Sequence, residues 1–233
     1  MKVEETEDAI VVEPEQSATA AVIWLHGLGA DGGDFVPLVP ELRMPAGLPV
    51  RFVFPHAPVR PVTINGGAAM RAWYDILSLG GMARQDEAGI RDSERIVLGF
   101  LQQQLASGIA ADKIVLAGFS QGGAIALQVG LRHPQKLAGV LALSTYLPLA
   151  DSAAKDLKPE RRDTPVLMCH GTHDPVLPMQ LGSASRDLLV RMGFQVTWKQ
   201  YPMQHEVCLP EIGDIADWLR QRLDPASRII LLR

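Results

Sequence analysis

The chain has 233 residues, 47% of them hydrophobic, which is ample for one sizeable core. Its 22 Lys and Arg against 26 Asp and Glu give a net charge of −4, with no basic run to gather phosphates, so nucleic acid is not an expected partner. Two cysteines, Cys169 and Cys208, are too few for a disulfide framework and wrongly spaced for a zinc site, and no apolar run is long enough to span a membrane.

The first nine residues carry four acidic side chains and no apolar stretch of the kind a secretory signal needs. Together with the thiols, this leads us to expect a cytoplasmic protein. Ile10 to Val12 is expected to add an antiparallel edge strand. Ala20–Leu25 then opens a series of short β-rich runs that continues with Val50–Phe54, Lys113–Phe119, Gly139–Ser144, Pro165–His170 and Gln195–Tyr201. Several are apolar without alternation, as strands buried on both faces should be. Between them, Ile90, Val97, Leu101 and Leu105 share one helical face, and Pro210–Leu223 reads as a closing helix. The alternation predicts an α/β fold over residues 1–233, a single domain with a mostly parallel central sheet and helices on both faces.

Residues 56–84 fit neither period. Pro58, Pro61, Gly66, Gly67, Gly80 and Gly81 surround Trp73 and Tyr74, which reads either as a pocket wall or as a meandering surface loop. Asp151, Asp156 and Asp163 lie in a polar connection and are expected to be solvated. The tail, residues 224–233, has no role that its residues assign.

The run Lys113–Phe119 leads into Gly118-Phe119-Ser120-Gln121-Gly122 and then a helical stretch. This is a nucleophile elbow, a strand-to-helix turn in which small neighbours allow a strained serine to project from the sheet. A serine hydroxyl needs a base and an orienting carboxylate, which follow in the order acid, then histidine, on this kind of scaffold. Asp174 falls just past the strand Pro165–His170, although as Asp-Pro it also suits a simple turn. His205 follows the strand Gln195–Tyr201 and is the only histidine after Asp174. The oxyanion of an acyl-transfer intermediate needs two donors. The backbone N–H groups of Gln121 and of Leu28, in His26-Gly27-Leu28-Gly29, are placed for that.

Gly27, Gly29 and Gly32 also spell a dinucleotide-binding fingerprint after a strand. The next strand ends in Phe54-Pro55-His56-Ala57 without the acid that such a site uses roughly twenty residues on, and Pro37 and Pro40 interrupt the helix it requires. A nucleotide-dependent oxidoreductase is therefore the weaker reading.

Taken together, Leu25-His26-Gly27-Leu28-Gly29, Ala57-Pro58-Val59-Arg60-Pro61-Val62-Thr63, Trp73-Tyr74-Asp75-Ile76, Gly118-Phe119-Ser120-Gln121-Gly122-Gly123 and Cys169-His170-Gly171 with Asp174-Pro175 resemble the phospholipase/carboxylesterase group of α/β-hydrolases. That group includes the acyl-protein thioesterases and small Pseudomonas carboxylesterases. The resemblance implies an α/β-hydrolase fold, catalytic Ser120, Asp174 and His205, oxyanion donors Leu28 and Gln121, and no metal or cofactor. It implies that the loop after Ile76 walls an acyl groove, with Leu77, Leu79, Met82 and Val176 as contacts, each of which suits ordinary core packing equally well. Members of the group often form dimers, so a homodimer is an expectation of the resemblance alone. The expected activity is a carboxylesterase working through an acyl-enzyme on a small-molecule or lipid acyl ester. The alternative is a thioesterase acting on acylated protein, or a lysophospholipase.

Overall fold

The computed structural model describes residues 1–78, 85–157 and 162–224. The sheet strands are β1 (Lys2–Glu5), β2 (Ala9–Glu13), β3 (Ala20–Leu25), β4 (Val50–Pro55), β7 (Ile114–Phe119), β8 (Gly139–Leu143), β9 (Val166–Gly171) and β10 (Val196–Tyr201). A hairpin is made by β5 (Val59–Val62) and β6 (Ala68–Arg71). The helices are α1 (Glu87–Ala106), α2 (Gln121–Gly130), the single turn α3 (Ala153–Asp156), α4 (Met179–Arg191) and α5 (Leu209–Leu223).

The eight sheet strands lie in the order β1-β2-β4-β3-β7-β8-β9-β10, antiparallel from β1 to β4 and parallel from there on. Both faces are covered, which explains the unbroken apolar runs. In β3, Ala21, Ile23 and Leu25 pack into the layer with α1, α2 and α4, while Ala20, Val22 and Trp24 pack into the opposite layer with α5. All six are buried. Alternation is present in direction but invisible in composition, because each side of the sheet is core.

Four details depart from the sequence expectations. Ile10 to Val12 does form an antiparallel strand, within β2, but β1 pairs outside it and is the edge. Lys2–Glu5 is exposed throughout, so no apolar pattern marks it as a strand. The aperiodic stretch after His56 contains the β5–β6 hairpin, whose strands are too short for a period to show. Asp156 is not merely solvated, because its carboxylate takes Arg91 Nη2 at 2.9 Å and lies 3.7 Å from Arg132. The hydrogen bond from Arg91 holds that carboxyl below its ordinary range. The tail expected as a separate feature lies, apart from Asp224, outside the described residues.

The topology decides where chemistry can sit. From β3 the chain goes first to β4 on one side and later to β7 on the other, so the strand order reverses at β3. A crevice opens at such a switch point, outside the carboxyl ends of the strands. The loops that follow β3, β7, β9 and β10 carry Leu28, Ser120, Asp174 and His205 respectively.

Candidate active site

Ser120 links β7 to α2 with φ 54° and ψ −121°, a conformation costly for a residue with a Cβ. Its neighbours hold it there. Ser120 N donates to Leu143 O at 2.8 Å, and its carbonyl accepts from Ala124 N at 3.1 Å and Thr145 Oγ1 at 2.7 Å. The flanking glycines are sterically compulsory. A Cβ on Gly118 would lie 2.3 Å from Gly122 backbone, and one on Gly122 would lie 2.4 Å from Leu25 O. The elbow is thus pressed onto the end of β3, where only hydrogen fits.

His205 Nε2 lies 2.9 Å from Ser120 Oγ, and His205 Nδ1 lies 2.7 Å from Asp174 Oδ2. The other carboxylate oxygen, Asp174 Oδ1, accepts from Val176 N at 2.9 Å and Leu177 N at 2.8 Å. The Asp174 side chain is fully buried and its imidazole partner is partly exposed, at 16%. An ionised carboxylate on His205 Nδ1 keeps that proton in place and leaves the Nε2 lone pair facing the hydroxyl, the arrangement by which an imidazole takes up a serine proton. Behind Asp174 sits His170, which stands 3.5 Å from Asp174 Oδ2 and 2.8 Å from Leu177 O. Burial pushes the His170 pKa down, so it is a neutral neighbour.

Leu28 and Gln121 line, together with Ser120 and His205, one cavity of about 460 Å³. The Gln121 side chain has a separate task. Its Oε1 accepts from Trp73 N at 2.7 Å and its Nε2 donates to Tyr74 O at 2.6 Å, which ties the expected wall loop to the first turn of α2. Tyr74 lines the cavity together with Tyr146, their hydroxyls 2.8 Å apart. Ile64, Ile76 and Phe119 supply apolar surface.

Of the four expected acyl contacts, Val176 lines this cavity and is 62% exposed. Leu77 does not. Ile76 and Ser78 line the cavity, whereas Leu77, between them and half-buried, is not part of its lining. Leu79 and Met82 lie outside the described residues. The sequence does not mark Ile64 and Tyr146 as pocket residues, because neither sits in a motif, and Ile76 and Gln121 stand in motifs that do not show that the first lines the cavity or that the second has a bridging side-chain amide. The glycine fingerprint resolves into a different structure. Gly32 is forced by Phe54 O, 2.3 Å from where its Cβ would be, and a 3-10 turn follows in place of the helix a nucleotide site needs. A second cavity of about 430 Å³, near Pro40, Met44 and Leu48, holds none of the candidate residues.

Beneath the His205 loop, Glu211 in the first turn of α5 is fully buried. Its Oε2 takes a long bond from Cys208 N at 3.4 Å, and the Cys169 thiol is the other donor beside the carboxyl. Burial pushes its carboxyl up to about 8 from an ordinary 4.5. Between those values the unfolded chain releases a proton that the folded chain keeps, so stability falls as pH rises from about 4.5 through about 8. We expect Glu211→Gln to remove that component, on the order of a few kcal/mol across the window. Urea unfolding of both proteins at pH 5 and pH 8 measures it, and identical pH slopes would refute it.

An open, mostly parallel sheet, crossed from strand to helix by a strained serine and meeting an aspartate and a histidine at neighbouring strand ends, is the α/β-hydrolase fold. The chain belongs within it to the phospholipase/carboxylesterase family, whose profile matches residues 6–223. Two curated relatives, each named acyl-protein thioesterase 1, come from Neurospora crassa and Gibberella zeae. The first is 45% identical over 88% of this chain and 87% of its own length, and the second 40% identical over 90% and 93%. Among solved structures, Zea mays acyl-protein thioesterase 2 is 30% identical with a TM-score of 0.83, covering 92% of this chain and 98% of its own. Arabidopsis thaliana SOBER1 is 31% identical with a TM-score of 0.82, covering 88% and 99%.

Proposed function

We propose that this chain is an acyl-protein thioesterase-like serine hydrolase that cleaves acyl thioesters, and acyl esters by the same route, through an acyl-enzyme on Ser120. The observation that carries the reading is the continuous chain of short contacts from Ser120 Oγ through His205 to a buried Asp174. His205 Nε2 takes the hydroxyl proton as Oγ attacks the carbonyl carbon. The resulting oxyanion is held by the N–H groups of Leu28 and Gln121. Collapse of the intermediate expels the thiolate or alkoxide, which leaves with the proton from His205. Water, deprotonated in turn by His205, then attacks the acyl-enzyme and releases the acid and free Ser120. Every group in this sequence belongs to the chain, and Asp174 only orients His205 and balances its charge.

The names of the relatives favour the thioester of an acylated protein over the small carboxylic ester first expected from the residues. The apolar wall formed by Ile64, Ile76 and Val176 supports an acyl chain as the recognised part. The two free thiols and the absence, among the described residues, of a helix able to cross a membrane are consistent with a cytoplasmic setting. Matched oxyesters and thioesters in a chain-length series, together with a thioacylated peptide, test the assignment. We expect both bond types to be cleaved, with the highest kcat/KM on the thioacylated peptide. Cleavage of short oxyesters alone would restore the carboxylesterase reading.

A further inference from the structure

His26 is buried beside the site, yet no step of the proposed reaction uses it. Its ring is held on both edges. Ala57 N–H donates to Nε2 at 3.1 Å, so that nitrogen carries the lone pair and the proton of the neutral ring sits on Nδ1. Nδ1–H then donates to Gly27 O at 2.7 Å. Burial pushes the ring down to about 4, which keeps it neutral and the tautomer defined near neutral pH. The ends of this arrangement are themselves anchored. Trp73 Nε1 donates to His26 O at 2.9 Å, and Arg71 Nη1 donates to Ala57 O at 2.9 Å.

The Gly27 carbonyl also accepts from Ala30 N at 3.3 Å. A trans peptide is planar, and its C=O and the N–H of the next residue point in opposite directions. Fixing Gly27 O therefore fixes Leu28 N–H. Gly27 itself contributes no side chain to resist rotation of that peptide, and it lies so near the elbow that a Cβ on it would be 3.5 Å from Ser120 Cβ.

We propose that His26 is a positioning residue for the oxyanion site: its Nδ1–H holds the Gly27–Leu28 peptide so that Leu28 N–H is turned toward the carbonyl oxygen bound over Ser120. This rests on the reading of Leu28 and Gln121 as oxyanion donors. His26 touches no substrate and acts only through the peptide it grips.

The two ring nitrogens can be separated by substitution, since an asparagine amide reaches the place of Nδ1 and a glutamine amide that of Nε2. His26→Asn keeps a donor for Gly27 O and gives up the acceptor for Ala57 N–H. His26→Gln keeps that acceptor and gives up the donor. We expect kcat to fall about 100-fold in His26→Gln, the scale of one lost oxyanion donor, with KM within about twofold of the parent. The affinity for a trifluoromethyl ketone, whose hemiketal oxygen takes the same donors, should fall in parallel. His26→Asn should keep kcat within about fivefold while melting at a lower temperature. A His26→Gln enzyme at full rate, or equal kcat losses in the two variants, overturns the proposal. Should either variant fail to fold, nitrogen NMR of the parent protein decides: a neutral His26 with its proton on Nδ1 supports the proposal, and a proton on Nε2 overturns it. Ser120→Ala run alongside separates the two layers. If it still turns over, the underlying reading falls and the inference with it; if it is inactive, the His26 pair tests the inference alone.

Discussion

Replacing Ser120 by alanine is expected to lower kcat on esters and thioesters by about 10⁶-fold, leaving only what the oxyanion donors and binding supply. The size follows from the geometry, because no other hydroxyl stands within reach of His205 Nε2 among the described hydrogen bonds. The same position makes an opposite prediction for stability. Ser120 is held at φ 54° by bonds from Ala124 N and Thr145 Oγ1 to its carbonyl and by its own N–H on Leu143 O, none of which involves its side chain. Ser120→Gly keeps these bonds and relieves the clash of the Cβ with the backbone, a cost of about 1–3 kcal/mol for a residue in such a region. We therefore expect Ser120→Gly to be as inactive as Ser120→Ala but to melt about 2–4 °C higher than it. Steady-state kinetics and thermal unfolding of both variants provide the check. An alanine variant with a few percent of parental activity would remove Ser120 from the mechanism, and equal melting temperatures would remove the stored strain.

That trade of stability for reactivity is legible in the sequence, and it shows which kinds of feature are. Gly118, Gly122 and Gly123 are demanded by backbone a few ångströms away, so the requirement is written as residue identity at fixed spacing. Asp174 follows the apolar central strand β9 and His205 the edge strand β10, so their position at the carboxyl ends could be read from the order of the β-rich runs. The parallel sheet was legible for the same reason. Features made by side chains and backbone meeting across distant loops were not. The Gln121 amide bridging Trp73 N and Tyr74 O, the Ala57 N–H that sets the His26 tautomer, and the Tyr74–Tyr146 pair join segments far apart in the chain by contacts that leave no local period. The edge strand β1 escaped for another reason: a strand exposed on every residue has no apolar alternation to betray it.

The Asp174 carboxylate allows the sharpest separation of geometry from chemistry, through Asp174→Asn. Asparagine has the same shape, so the question is which way its amide faces. Asp174 Oδ1 meets two backbone donors, Val176 N and Leu177 N, at 2.9 and 2.8 Å, whereas Oδ2 meets His205 Nδ1 at 2.7 Å and His170 Nε2 only at 3.5 Å. Turning the NH₂ toward the loop would set it against two N–H groups that cannot rotate away. Turning it toward His205 costs less, because a neutral imidazole can answer by moving its proton. The carbonyl of the substituted side chain is therefore expected to stay on the loop and its NH₂ to face His205 Nδ1. That nitrogen must then offer a lone pair, and its proton moves to Nε2, 2.9 Å from Ser120 Oγ. A base that presents an N–H to the hydroxyl cannot accept its proton. We expect kcat to fall about 10⁴-fold with folding and KM nearly unchanged, the scale seen when a triad histidine is held in the wrong tautomer. Nitrogen NMR of His205 should show the proton on Nδ1 in the parent and on Nε2 in the variant. A variant that kept kcat within tenfold, or lost it while His205 retained the Nδ1 proton, would mean that Asp174 does not act by setting the tautomer.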